Sequence, residues 1–280
     1  MMTEAKDKRY LVVGATGKTG RRVAERLRSR GLEIRAVSRS TAIPFDWTRD
    51  DTWKDALQGS DAAYVTFQPD LAVLGSVDVI RAFLGAAKES GVKHVVLLSG
   101  RGEEEAEAAE AALQSSGLSW TVLRSSWFMQ NFSENYMRDE LLTGSLALPV
   151  GETKEPFIDA DDIADVAFAA LTEPGHENRL YELTGPQPIS FRQAVGEIAK
   201  VARRELVFQS IPFADYETVL RGQAVPEEFI ALLRYLFTEL FDGRNAQVAH
   251  GVEEALGRKP RSFADFAAKA TADGLWEGQS

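Results

Sequence analysis

Residues 12–22 read VVGATGKTGRR, and the fold turns on what the glycines at 14, 17 and 20 are for. Tyr10 to Val13 is a short apolar run of strand type, and from Arg21 to Arg30 the residues Val23, Ala24 and Leu27 recur at helical spacing. The stretch is strand, turn, helix. Inside it GKT imitates the close of a triphosphate loop, but GxxxxGK[ST] needs its first glycine at position 12, where Val12 stands. Without that glycine the wide turn that aims several N–H groups at phosphates is missing. What remains is GxxGxxG opening a helix. In a dinucleotide fold the first glycine permits the tight turn, the second lets a pyrophosphate approach the backbone, and the third lets the helix lie close. The helix N-terminus adds partial positive charge.

Working outward, Gly31 stops the helix and Leu32 to Val37 is the next strand, completing a βαβ unit. That strand ends in AVSRS. A carboxylate here would bind the 2'-hydroxyl of NAD, whereas an arginine accommodates a 2'-phosphate. Ser38, Arg39 and Ser40 therefore favour NADPH (NADP). The alternation continues with strands at Ala62 to Phe67 and His94 to Leu98, a helix at Val77 to Ser90 ended by Gly91, a helix at Glu103 to Ser115 and a strand at Leu118 to Arg124. Such a pattern predicts an α/β protein with a Rossmann-type, doubly wound parallel sheet.

Beyond Arg124 the rhythm loosens. Ser126 to Glu140 reads as an aromatic helix, Gly144 to Pro149 as a short strand, Asp161 to Leu171 as a helix and Arg179 to Leu183 as a strand. From Ser190 onward the chain reads as mostly helical, with a strand at Leu206 to Ser210 and one amphipathic helix over Val225 to Phe241, Phe229 on its apolar side. The expected division is a dinucleotide-binding domain of residues 1–126 and 157–185 and a smaller, mostly helical substrate lobe of 127–156 and 186–280, packed over the C-terminal edge of the sheet.

The 280 residues are 44% hydrophobic and 26% charged, as in ordinary globular proteins. A net charge of -10 repels nucleic acid and anionic membranes, so neither is an expected partner. With no cysteine, disulfides, thiolate nucleophiles and Cys-ligated metals are excluded. No apolar run reaches the length of about 18 residues that a membrane helix needs, and no signal-type segment opens the chain; the cytoplasm is the expected compartment. His94, His176 and His250 show no ligand spacing, so no metal is expected. Asp159, Asp161 and Asp162 lie together before a helix that Asp159 or Asp161 is well placed to cap. Glu103, Glu104, Glu105, Glu107 and Glu110 read as a solvated helix face complementing the macrodipole.

The segments GATGKTG, SRS, FDWTRDDTW, AYVTFQP, HVVLLSGRG, SGLSWTVLRSSWFMQNF, FIDADDIADVAFAAL and YELTGP together resemble the NmrA-like atypical short-chain dehydrogenases, over nearly the whole chain. FDWTRDDTW and LRSSWFMQNFSE look most like the branch containing festuclavine and agroclavine dehydrogenases, which reduce a cyclic iminium carbon with NADPH. The resemblance implies that Gly14, Thr16, Gly17, Lys18, Thr19 and Gly20 line the pyrophosphate and that Arg39 meets the 2'-phosphate. Asp46 and Trp47 would lie beside the adenine, Thr66, Phe67 and Gln68 near the ribose, and Ser99 and Gly100 toward the nicotinamide. Ser126, Trp127, Phe128, Met129 and Asn131 would shape a substrate pocket, although the same aromatic residues also suit a core.

One departure stands out. The residues four places after the six tyrosines are Gly14, Gln68, Glu140, Gly185, Leu220 and Glu239, so no Tyr-x-x-x-Lys pair exists to protonate a carbonyl. No catalytic side chain is assigned. Two outcomes stay open: an NADPH-dependent oxidoreductase, acting on a small electron-poor molecule with an imine or iminium ahead of a quinone, or a dinucleotide sensor acting through a partner protein. The chain is expected as a monomer or homodimer.

Overall fold

The computed structural model describes residue 5 and residues 7–277. The chain divides into two compact units: residues 1–125, 160–183 and 250–259 form the first, and residues 126–159, 184–249 and 260–280 the second.

In the first unit the elements run β1 (Arg9–Val13), α1 (Lys18–Ser29), β2 (Glu33–Val37), α2 (Trp53–Leu57), β3 (Ala62–Val65), α3 (Ser76–Glu89), β4 (His94–Gly100), α4 (Glu104–Ser115), β5 (Ser119–Ser125), α5 (Ala160–Thr172), β6 (Arg179–Leu183) and α6 (Gly251–Leu256). The six strands pair in parallel in the order β2-β1-β3-β4-β5-β6. Alternation of side chains across the pleat assigns the faces. Leu11, Val13, Ala63, Val65, Val95 and Leu97 join Ala56, Phe83 and Leu113 from α2, α3 and α4 in one cluster. Tyr10, Val12, Tyr64 and Val96 are buried on the opposite face, where α1 packs with α5 and Arg26 bridges Asp161 at 3.0 Å and Asp165 at 2.6 Å. Those two aspartates work as ion-pair partners within α5, as does Asp162, whose fully buried carboxylate meets Arg258 at 2.7 Å. This is the doubly wound sheet that the alternation predicts. Because β1 has β2 on one side and β3 on the other, the chain reverses its winding there, which opens a crevice at the strands' C-terminal ends.

The helix α6 belongs to this unit, not to the lobe in which 186–280 were expected. Gly251 packs so tightly on the backbone of β6 that a Cβ there would stand 2.3 Å from the Glu182 carbonyl oxygen.

The second unit holds its own aromatic core, in which Phe132, Phe157, Phe191 and Phe263 meet edge to face or tilted. Around it lie helices at Tyr136–Thr143, Phe191–Ala202, Phe213–Gly222 and Phe263–Ala272 and two small two-stranded sheets. Two expectations change here. The stretch from Ser126 is extended and then turns once at Met129–Asn131 before a helix begins at Tyr136. The stretch Val225–Phe241 is a helix over Glu227–Tyr235 followed by a π-type turn at Leu236–Leu240; Ile230, Leu233, Phe237 and Phe241 enter this unit's core while Phe229 is exposed. Among the described residues no helix is long and apolar enough to cross a membrane.

Candidate functional site

The loop between β1 and α1 sits at the crevice, and its three glycines do separate jobs. Gly14 has φ +73°, in the left-handed region, and a Cβ there would collide with Thr66 Oγ1 at 2.2 Å. The Gly14 carbonyl accepts a hydrogen bond from Gly17 N at 2.9 Å, closing the turn. Gly20 lies so close that a Cβ would stand 2.2 Å from the Gly14 oxygen. Gly17 caps α1 with no side chain, and the first turn carries no acidic residue, so the positive end of the helix dipole is left for an anion. Thr16 is exposed, and Gly17 and Lys18 are half-buried. Thr19 is buried beside Tyr64, which leaves its main-chain N–H as the group it can offer. These features fit a dinucleotide pyrophosphate.

At the end of β2 the turn is held from within. Ser38 N donates to Thr41 Oγ1 at 2.8 Å, Thr41 Oγ1 donates to Ser38 O at 2.9 Å, and the Ser38 hydroxyl contacts Ser40 Oγ at 3.3 Å. Ser38 is thus spent on the turn, and Arg39 and Ser40 are exposed at its tip. Hydrogen bonds from the Thr48 backbone and hydroxyl, then the nearby Arg39 and Arg49, hold the Asp46 carboxyl below the usual range. Asp46 therefore stays charged. Trp47 is a core residue: it is packed with Phe45, Phe67 and Phe83, and its indole N–H donates to Thr66 O at 3.1 Å.

At the ends of β3 and β4, Phe67 is half-buried and Gln68 exposed, Thr66 Oγ1 donates to Val13 O at 3.3 Å, and Ser99 Oγ donates to Glu110 Oε1 at 2.6 Å. Glu110 is 2% exposed and accepts from Arg124 at 2.5 Å and 3.0 Å, with Glu107 and Glu182 also near that guanidinium. Glu103 is buried as well. The solvated glutamate face therefore reduces to Glu104 and Glu107. Glu103 and Glu110 are interior, Glu110 because Arg124 neutralises it. The signal was available: Glu110 falls in the stripe of Ala106, Ala109 and Leu113, and Arg124 interrupts an apolar strand.

Two histidines lie together at the opposite edge of the sheet. Thr121 Oγ1 donates to His176 O at 2.7 Å, so it accepts from His94 Nε2 at 3.3 Å, and His94 Nδ1 then accepts from Ser119 Oγ at 2.8 Å. Burial pushes the His94 imidazole down to about 4, so it is neutral at pH 7. It lines a cleft of about 350 Å³ with Lys8, Asp61, Lys93, Glu173 and Glu177. Ligands of such sheets bind at the strands' carboxyl ends, away from this edge.

Within the second unit, Ile158 N donates to Trp127 O and Met129 N to Ile158 O, each at 2.9 Å. Met129 is thereby fixed in the core at 1% exposure, which takes it out of an accessible pocket. Ser126 is buried too, whereas Trp127, Phe128 and Asn131 are half-buried, with Trp127 against Phe191, Phe237 and Phe241. Gln130, which was not singled out, donates to the buried Asp159 at 2.7 Å.

A family model described as NAD(P)H-binding matches residues 14–174. Over 280 aligned residues the chain is 32% identical to an NAD(P)H azoreductase from Xenophilus azovorans, covering 92% of this chain and 96% of that protein. With the same coverage it is 31% identical to festuclavine dehydrogenase from Aspergillus fumigatus. Among solved structures, an NADPH-dependent quinone oxidoreductase from Escherichia coli, complexed with NADPH, superposes with a TM-score of 0.77 at 22% identity, covering 94% of this chain and 99% of that one. The match across the glycine loop and the sheet, together with full-length relatives at this identity, assigns the chain to the NAD(P)H-binding, NmrA-like family of atypical short-chain dehydrogenases.

Proposed function

We propose that the protein is an NADPH-dependent reductase of small, electron-poor acceptors, with C=N compounds ahead of quinones. The observation that carries the proposal is the glycine loop, whose turn, uncapped helix and close-packed Gly20 suit a pyrophosphate while Arg39 stands exposed beyond β2. The chemistry the cofactor supplies when bound is hydride donation. The N–H groups of Lys18 and Thr19 are assigned to the pyrophosphate, with Gly14, Thr16, Gly17 and Gly20 shaping the loop. Arg39 and Ser40 are assigned to the 2'-phosphate, Asp46 to the adenosine end, Thr66, Phe67 and Gln68 to the ribose, and Gly100 to the nicotinamide end. Trp127, Phe128 and Asn131 are assigned to binding an apolar acceptor. The chain's own contribution is mainly orientation of hydride donor and acceptor. Relatives named for azo compounds and festuclavine, and a fold neighbour named for quinones, support an acceptor with an electron-poor double bond.

A thermal-shift comparison of NADPH with NADH, followed by NADPH oxidation against cyclic imines, quinones and azo dyes, tests this. NADPH is expected to raise the melting temperature more than NADH, and an imine to accelerate NADPH loss. Tight binding with no turnover of any acceptor would leave the sensor role instead.

A further inference from the structure

The sheet edge that carries the glycine loop also carries two neighbouring acids, one buried and one half-buried. Asp70 lies in the loop beyond β3 and Glu103 three residues beyond β4, on strands that are direct neighbours. The two carboxyls are close enough for each to shift the other, and two negative charges so placed repel, which favours a proton on the pair. Glu103 is 7% exposed, and no protein N–H or hydroxyl reaches its Oε2. Its carboxyl occupies the place of the side chain that Gly100 lacks: a Cβ on Gly100 would stand 2.2 Å from Oε2. Asp70 is half-buried and steadied by Ala72 N, which donates to its Oδ1 at 3.0 Å.

The electrostatic surroundings keep the proton in place. Burial raises Glu103 well above the usual range, and Asp70 and then Glu110 add to the shift; burial likewise raises Asp70. The other charged group that acts on Glu103 is Glu110 of α4, itself paired with Arg124 of β5. Arg124 is engaged by Glu110, and among the described residues no Lys or Arg pairs with Asp70 or Glu103. The strand order β2-β1-β3-β4 places Arg39, then the glycine loop, then this pair along one edge. In such folds the dinucleotide runs across that edge from its adenosine half to its nicotinamide half.

We propose that Glu103, backed by Asp70, is the proton donor for the reduction, so that the site takes neutral acceptors in preference to carbons that already carry an iminium charge. The inference rests on the reductase proposal above. Hydride adds to one end of a C=N, N=N or quinone system, which gains two electrons as the reduced nicotinamide loses them. The Glu103 O–H bond breaks as a new N–H or O–H bond forms on the heteroatom. Glu103 is left as a carboxylate beside Asp70, and solvent returns the proton to the pair through the half-buried Asp70. A permanently charged N-alkyl iminium has no place for that proton.

The test uses the full chain and two variants, E103Q and D70N. Infrared spectra without cofactor are expected to show a protonated-carboxyl C=O band at neutral pH that E103Q removes. With 1,4-benzoquinone and a neutral cyclic imine, E103Q is expected to lower kcat by about 100-fold and to abolish its fall at high pH, while the melting shift given by NADPH stays as in the wild type. The loss is expected to be much smaller with an N-methylated iminium, and D70N is expected to move the pH break. Absence of the infrared band, or equal losses for neutral and charged acceptors, overturns proton donation and leaves the reductase proposal standing. No NADPH oxidation with any acceptor overturns both.

Discussion

Strand β4 enters the sheet at His94 and leaves it at Gly100, and the two ends treat a buried titratable group differently. At the entry, a histidine that gives and takes hydrogen bonds with Thr121 and Ser119 is kept without its extra proton. At the exit, burial and then the Asp70 carboxyl push Glu103, packed against Gly100, well above the usual range, toward its protonated form. Burial drives both groups to their neutral forms, but the outcome is opposite in kind, because neutrality costs an imidazolium its proton and gives a carboxylate one. Only the exit shares its edge with the glycine loop, so only there does the neutral form hold a transferable proton beside an anion site.

The sharpest way to break this contrast is at the loop. In Gly20→Ala the new methyl would meet the Gly14 carbonyl oxygen at 2.2 Å and its carbon at 2.7 Å, both backbone atoms. The substitution is expected to cost about 2–3 kcal/mol of stability in urea unfolding and to weaken NADPH about 100-fold in titration, leaving the tautomer at His94 unchanged. Next comes His94 itself. Its folded value of about 4 lies below the value of about 6.5 for an unfolded chain, so as pH falls the unfolded state takes up the proton first. Stability from this residue is complete above about 6.5 and is lost on the way down to about 4, by roughly 2–3 kcal/mol. Subtracting the urea midpoints of His94→Asn from those of the wild type across that range should isolate the slope; parallel curves would contradict it.

Glu103 should give the opposite sign. Its folded value is raised, so above the ordinary glutamate range the unfolded state releases a proton that the folded state holds, and wild-type stability declines as pH rises. Glu103→Gln is therefore expected to gain on the wild type toward alkaline pH, read by the same midpoints. The mildest change is Arg39→Asp, at an exposed turn. It should weaken NADPH about tenfold more than NADH, because the dinucleotides differ only at the 2'-phosphate; equal losses would remove Arg39 from cofactor choice.

Most of the first unit was legible in the sequence because its central strands β1, β3 and β4 are mainly apolar and its helices end on Gly31, Gly91 and Gly117, all at positive φ. Local period and local stops carry that information. The acids were misread for a physical reason: a glutamate letter is taken as charge in water, yet Glu110 is cancelled by Arg124 from another strand and Glu103 is pushed toward its neutral form by burial and by the Asp70 carboxyl of a distant loop. Neither partner lies within a helical turn, so no periodicity reveals it. In the second unit the aromatic run after Ser126 looked helical by composition, but Trp127 and Met129 are fixed by backbone pairing with Ile158, thirty residues along the chain. Extended pairing across such a gap leaves no pattern in either segment alone. The Val225–Phe241 helix is interrupted by the π-type turn at Leu236–Leu240, and within its α-helical part Ile230 is buried while Phe229 is exposed.

The return of the chain at Gly251 has a consequence for biosynthesis. During translation the first five strands are complete by residue 125, but β6 follows only at residues 179–183 and the helix seated on its backbone at 251–256. Until residue 183 the nascent sheet presents β5 as an unpaired edge, and until residue 251 the backbone of β6 lacks the helix that packs on it, both the kind of surface that chaperones shield. A message truncated before residue 251 should therefore yield a chain that is cleared or aggregates, and not a free dinucleotide-binding domain.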